Sequence, residues 1–191
     1  MREEQKARDE RLREEDERLR EEQTSLMHRT LLLMRHAKSA YPAGVTDHDR
    51  PLAPRGVRQA GLAGEWLRSY APPIDAVLCS TATRARETLS HTGLDAPVTF
   101  CERLYDAVPG TVIDVINGVG EDVATLLVIG HEPTIGQVSL GLASAEDSNE
   151  AASRQISTKF PTSAIAVLRT GEPWHRLELG GAALVGFHVP R

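Results

Sequence analysis

Short, nearly continuous apolar runs punctuate the chain, separated by polar stretches rich in turn residues. Leu31-Leu32-Leu33-Met34 reads as a buried strand that ends at Arg35-His36. Ile74 to Cys79 is a second strand, and Thr125-Leu126-Leu127-Val128-Ile129, ending at Gly130-His131, is the clearest. Pro97 to Phe100 reads as a short strand, and Ser163 to Leu168 and Trp174 to Leu179 as two late ones. Between them the period changes. Pro54 to Tyr70 is helical, with Val57, Leu62, Ala63, Trp66 and Leu67 on one side, and Pro72-Pro73 closes it. Ser80 or Thr81 is placed to cap a helix running through Arg84, Arg86 and Leu89. Gly110 to Asn117 reads as a helix, and Pro133 suits the first turn of another. Ala143 to Lys159 is small and polar, the pattern of a long loop or a lid. Strands that alternate with helices and are apolar on both faces predict a three-layer α/β/α domain with a mostly parallel central sheet.

Composition narrows the class. Of 191 residues 40% are apolar and 26% charged, a globular mix, but aromatics are only 4%, so Leu, Val, Ile and Ala must build the core. Two cysteines, Cys79 and Cys101, make neither a disulfide framework nor a four-ligand zinc site. No apolar run reaches the length of a membrane span, and the N-terminus is a charge run rather than a leader peptide, so a cytoplasmic protein is expected. The net charge of −5 disfavours nucleic acid as a partner.

That charge is uneven. Residues 1–26 carry a net −3 and repeat themselves, Asp9 to Glu15 recurring as Asp16 to Glu22. Glu14 and Arg18, and Asp16 and Arg20, stand four apart, a spacing that favours helix. Leu12, Leu19 and Leu26 fall seven apart, but a stable coiled coil needs a second apolar position per heptad. The tail therefore reads as a solvated charged helix or disordered extension, with a partner-binding helix as the alternative. Residues 27–191 are the folded domain, and Met27 marks an alternative start.

The chemistry collects at strand ends. In open α/β sheets ligands bind at the carboxyl edge. Arg35-His36, Ser80 to Arg84 and Gly130-His131 all follow predicted strands. Two guanidinium forks and two imidazoles describe an anion site: the forks match phosphate oxygens, and a neutral imidazole is a nucleophile. A second, protonated histidine would stabilise the transferring phosphoryl group, and N-terminal helix amides after Ser80 would add to the cradle. No carboxylate cluster suggests a metal, so no cofactor is expected. Each piece also has a plain structural reading: His131 as a satisfied buried histidine, Arg84 and Arg86 as helix-surface charges.

Leu31 to Ser39 resembles the signature of the histidine phosphatase superfamily, the group containing phosphoglycerate mutases, with Ala37 where the usual Arg-His-Gly has glycine. Arg-His-Ala-Lys-Ser followed by Asp49-Arg50-Pro51-Leu52-Ala53-Pro54-Arg55-Gly56 is similar to its small SixA-type branch of phosphohistidine phosphatases. Ser80 to Thr88 resembles the second motif and Val128 to Pro133 the segment with the second histidine. The resemblance implies a phosphoglycerate mutase-like fold and a phosphohistidine intermediate on His36. Arg35, Arg84 and His131 would bind the phosphoryl oxygens. It also implies a carboxylate proton donor, for which Leu104-Tyr105-Asp106 supplies Asp106, with Glu102 the alternative. Asp49 and Arg55 read as braces, and Lys38 as a charge at the mouth or an exposed lysine.

The 47 residues between His36 and Arg84 hold one loop, one helix and one strand, too few for large lid insertions. An open site suits a phosphorylated side chain on a protein better than a small ester, and an imidazole leaving group needs little acid assistance. The expected activity is a metal-independent phosphohistidine phosphatase acting on a phosphorylated protein. A small-molecule phosphomonoesterase and a tail-mediated interaction protein are the alternatives.

Overall fold

The computed structural model describes residues 28–191 and, upstream, residues 5, 6, 8, 11–13, 15 and 16, which are helical and exposed. The tail boundary and the Leu12, Leu19 and Leu26 heptad lie largely outside the described residues. Among the described residues no helix is long and apolar enough to cross a membrane.

The strands are β1 (Arg29–Arg35), β2 (Ala76–Ser80), β3 (Val98–Cys101), β4 (Thr125–Gly130), β5 (Ile165–Thr170) and β6 (Ala183–His188). They form one sheet in the order β3-β2-β4-β1-β5-β6. The first four are mutually parallel, while β5 pairs antiparallel with β1 and β6 antiparallel with β5. The helices are α1 (Pro54–Tyr70), α2 (Thr83–Thr92), α3 (Pro109–Asn117), α4 (Thr134–Leu142) and α5 (Glu150–Thr158).

Successive strand residues point to opposite faces, so each strand feeds two cores. Leu31, Leu33, Leu126 and Val128 meet Val112 and Ile116 of α3, Ile135 and Val138 of α4 and Ile156 of α5. Leu32, Met34, Leu127 and Ile129 meet Ala63 and Leu67 of α1 and Ala85 and Leu89 of α2. Three layers follow directly from this alternation. Parallel pairing also brings the ends of β1, β2 and β4 to one edge, where the amide of His36 donates to the carbonyl of Gly130 at 3.0 Å.

Several local expectations are corrected. Trp174 to Leu179 is no strand: Trp174–Arg176 is a 3-10 turn, held because the Trp174 indole is fully buried and donates to the Val123 carbonyl at 2.7 Å. The edge strand is β6, whose small residues around Gly186 hide the alternation. The polar segment from Ala143 is no lid. Asn149 caps α5 by accepting from the Ala152 amide, and Ala152 and Ile156 are buried. Helix α2 is not capped by Ser80 or Thr81; its N-cap is Ala82, with no side-chain bond. Pro133 stands at the N-cap of α4 rather than in its first turn.

On α1 the buried face is Gly56, Ala60, Ala63, Gly64 and Leu67, while Val57 and Leu62 are partly exposed. Small residues win that face because backbone comes close: a Cβ on Gly64 would lie 2.0 Å from the Thr92 carbonyl oxygen, and one on Gly56 2.0 Å from that of Lys38. A Cβ on Gly61 meets nothing within 4 Å. Gly64→Ala is therefore expected to destabilise the protein by about 1–3 kcal/mol. Gly61→Ala, on the same helix, is expected to stabilise it by about 0.5–1 kcal/mol. Urea unfolding of the two variants checks both, and equal effects would refute this account of the α1–α2 contact.

Candidate active site

At the carboxyl edge His36 is 7% exposed and His131 stands beside it, their ring centroids 5.1 Å apart. The His36 Nδ1 lies 2.7 Å from the Ala37 carbonyl oxygen. A carbonyl can only accept, so Nδ1 carries the proton and Nε2 keeps the lone pair. Burial pushes the His36 pKa down to about 3; the Ala37 carbonyl opposes this, and His131, Arg84 and Arg35 add to the depression. A neutral imidazole with a defined free nitrogen is the result.

The segment after β1 is fixed from α2. The Ala37 amide donates to Thr88 Oγ1 at 2.9 Å, and that hydroxyl donates to the Arg84 carbonyl at 2.6 Å. Glu87 Oε2 accepts from the Leu52 amide at 2.8 Å. So Arg84, Glu87 and Thr88, spaced along one face of α2, place the loop that carries His36. Ala37 is fully buried against Leu52 and Ala60, which shows why a methyl is accommodated where the superfamily signature has glycine.

Arg35 Nη1 donates to the Phe160 carbonyl at 2.9 Å, tying β1 to the connection before β5. His131 Nε2 lies 2.7 Å from Ser80 Oγ, linking the ends of β4 and β2. Burial, then Arg84, pushes the His131 pKa down to about 4, so it is held neutral in the free site. Arg35 Nε, Arg84 Nε and His131 Nδ1 are buried without a hydrogen-bond partner. Buried polar atoms are normally satisfied; Arg29 Nε, at the other end of β1, and Ser163 Oγ are unpaired in the same way, so the orphaned nitrogens do not by themselves mark a ligand. Two of the amides after Ser80 are committed elsewhere: Ala82 N donates to Ser80 Oγ and Thr83 N to the His48 carbonyl.

Of the sequence-predicted set, Arg35, His36, Arg84 and His131 are thus brought to one edge. Asp106 is exposed, with a left-handed φ of 51°, immediately after Tyr105. Glu102 is exposed in a 3-10 turn at the end of β3. Asp49 braces its loop by accepting from Thr46 Oγ1 at 2.9 Å, while Arg55 is exposed. Lys38 Nζ lies 5.6 Å from the Tyr41 ring. Among the described residues no three His, Cys, Asp or Glu side chains group as metal ligands.

Sequence reasoning missed Asp47 and Tyr105. Asp47 accepts from Arg84 through both its carbonyl (2.6 Å) and its Oδ2 (3.2 Å), from Arg50 Nε at 3.0 Å and from the Tyr105 hydroxyl at 2.5 Å. Those bonds, Tyr105 first, hold its carboxyl down to about 2. The Tyr105 ring lies edge-on to His131 at 5.6 Å and to His48 at 4.8 Å. The one signal was Asp47's position just upstream of the Asp49-Arg50-Pro51-Leu52 motif.

Known proteins resemble this chain in sequence and fold. Residues 31–112 match the sequence profile of the histidine phosphatase superfamily (branch 1). Phosphohistidine phosphatase SixA of Escherichia coli is 30% identical over 149 residues, 74% of this chain and 86% of that protein. The chain belongs to the histidine phosphatase superfamily. An uncharacterized protein of Mycobacterium tuberculosis is 65% identical over 158 residues, 83% of this chain and all of that one. A solved structure from Nakamurella multipartitia, provisionally named phosphohistidine phosphatase SixA, superposes with a TM-score of 0.79 at 39% identity, over 85% of this chain and 96% of that one. The α/β fold with its mixed central sheet is the superfamily's.

The two neutral histidines make the domain acid-sensitive. An unfolded histidine takes up its proton near 6.5, the folded His36 only near 3 and His131 near 4. Below pH 6.5 the unfolded state holds more protons, so stability falls as pH falls, by up to about 1.4 kcal/mol per pH unit per histidine. His36→Asn is expected to flatten this slope between pH 6.5 and 4 by up to one proton's worth in urea titrations; an unchanged slope would show that His36 is not buried neutral.

Proposed function

We propose that this chain is a metal-independent cytoplasmic phosphatase that carries the phosphoryl group on His36 Nε2, and that its substrate is phosphohistidine in a protein. The observation that carries the reading is the state of His36: buried, neutral, its Nδ1–H committed to Ala37 and its Nε2 lone pair free beside Arg35, Arg84 and His131. In the first step Nε2 bonds to phosphorus, and the substrate's P–N bond breaks. The electron pair leaves with the substrate imidazole, which takes a proton. In the second step water attacks phosphorus, the P–Nε2 bond breaks and inorganic phosphate departs.

Arg35, Arg84 and His131 hold the equatorial oxygens in this reading, where charge builds up. An anion between them supplies the opposite charge that raises the proton affinity of His131. Proton and phosphoryl group then bind together, so neutrality of the free His131 is compatible with its role as a donor. Asp106 is the proton donor to the leaving group, with Glu102 the alternative; its neighbour Tyr105 reaches His131.

A protein substrate is supported by three points. The segment from Ala143 to Lys159 folds onto the core as α5 with Ile156 buried, instead of arching over the site. An imidazole leaving group needs less acid assistance than an alkoxide, which suits an exposed carboxylate at the rim. The 30%-identical E. coli relative is itself a phosphohistidine phosphatase.

With EDTA present, wild type is expected to release phosphate from a phosphohistidine-bearing protein faster than from an aryl phosphate, and His36→Ala from neither. A higher rate on the aryl phosphate would assign the chain to small esters, and full activity in His36→Ala would refute the mechanism. Asp106→Asn is expected to slow turnover of an alkyl phosphate ester, whose alkoxide must be protonated as it leaves, on the order of a hundredfold and phosphohistidine turnover far less, since general acid catalysis contributes about 10²–10⁴ where the leaving group needs it. Equal losses on both substrates would remove Asp106 from the donor role.

A further inference from the structure

Arg84 is almost wholly buried, its side chain only 7% exposed, and its donors divide into two sets. Nη1 and Nη2 both donate to Asp47, one to the main-chain oxygen and one to the carboxylate. Nε, on the other edge of the planar fork, is buried and unbonded. A guanidinium presents five N–H groups in a fixed plane, so clamping one edge sets the direction of the other.

Asp47 is itself immobilised. Its carboxylate accepts from Arg50 and Tyr105 as well as Arg84, and Arg50 in turn donates to Ser39 Oγ at 2.6 Å, on the loop that leaves the nucleophile. The backbone around it is pinned too. The Thr83 amide donates to the His48 carbonyl, His48 Nε2 lies 3.0 Å from Thr81 Oγ1, and Thr46 bonds Asp49. A carboxylate so heavily bonded is a brace for Arg84; a competing anion that had to leave before phosphate enters would sit on a looser tether.

We propose that Asp47 is the positioning residue of this site: by holding both Nη groups of Arg84 it fixes the plane and direction of the guanidinium that meets the phosphoryl group. Asp47 acts through Arg84, and the same clamp joins the loop after β1, the start of α2 and Tyr105 into one unit. The inference rests on the phosphatase reading above for its meaning in turnover. Its effect on anion binding is measured independently of turnover.

The test is a double-mutant cycle of Asp47→Ala and Arg84→Lys, read by kcat/KM on an aryl phosphate and by calorimetric titration with inorganic phosphate. The lysine keeps a charge but has no planar fork to orient. Asp47→Ala in the wild-type background is expected to weaken phosphate binding and to lower kcat/KM on the order of tenfold to a hundredfold, the scale of a misplaced group. In the Arg84→Lys background it is expected to cost no more than about threefold, because coupled residues do not add. Asp47→Asn keeps the acceptor oxygen and folds with the least disturbance, and it is expected to fall between wild type and Asp47→Ala. Glu65→Ala, exposed on α1 and outside this loop, is expected to change neither readout.

Equal factors in both backgrounds would overturn the proposal. So would phosphate binding to Asp47→Ala or Asp47→Asn as tightly as, or more tightly than, to wild type, the result for a competing anion. Failure of the phosphatase reading has a different signature: no turnover by wild type, with the phosphate titrations still reporting on Asp47.

Discussion

The backbone of a single residue, Ala37, holds His36 from both sides. Its carbonyl takes the Nδ1 proton of His36, and its amide is anchored to Thr88 on α2. Shift that peptide and the imidazole loses its tautomer, its orientation and its relation to Arg84 together. The close approach of Gly56 to Lys38, the packing of Leu52 and Ala60 on the Ala37 methyl and the Glu87 bond to Leu52 all serve the same short stretch of chain. The site is thus less a set of convergent side chains than one rigid turn with side chains attached.

Burial supplies the rest of the chemistry. The histidine at the centre is surrounded by arginines, and those charges alone would lower its proton affinity, but removal from water is the larger effect. The cost of burying two histidines and two arginines is carried by the sheet and its two apolar layers. Of the acidic residues near the site, Asp47 and Glu132 accept hydrogen bonds, while Asp106 is exposed.

Much of this was legible in the sequence because it depends on local pattern. Apolar runs gave β1, β2 and β4, and the residues following each run gave His36, Arg35, Arg84 and His131, since parallel pairing sends strand ends to one edge. What escaped depends on contacts made in three dimensions. The pairing direction of β5 is set by a connection that periodicity does not encode. Trp174 reads as strand but turns, because its indole is drawn into the core. Asp47 sits in a polar loop with nothing local to single it out; only its distance to Arg84, 37 residues on, makes it part of the site. Helix α5 looked like loop because its apolar face is two residues wide.

The position of β1 has a consequence for how the protein is made. Leu31 is in register with Leu126 on one side and with Leu168 on the other, so the first strand of the domain lies in the middle of the sheet. Such sequence-distant pairings close large loops, a cost that slows folding. The Phe160 contact of Arg35 and the Gly130 neighbour of His36 both come from far along the chain. The surroundings of His36 are therefore complete only when both halves of the chain are present, and an N-terminal half alone carries Arg35-His36 without its partners.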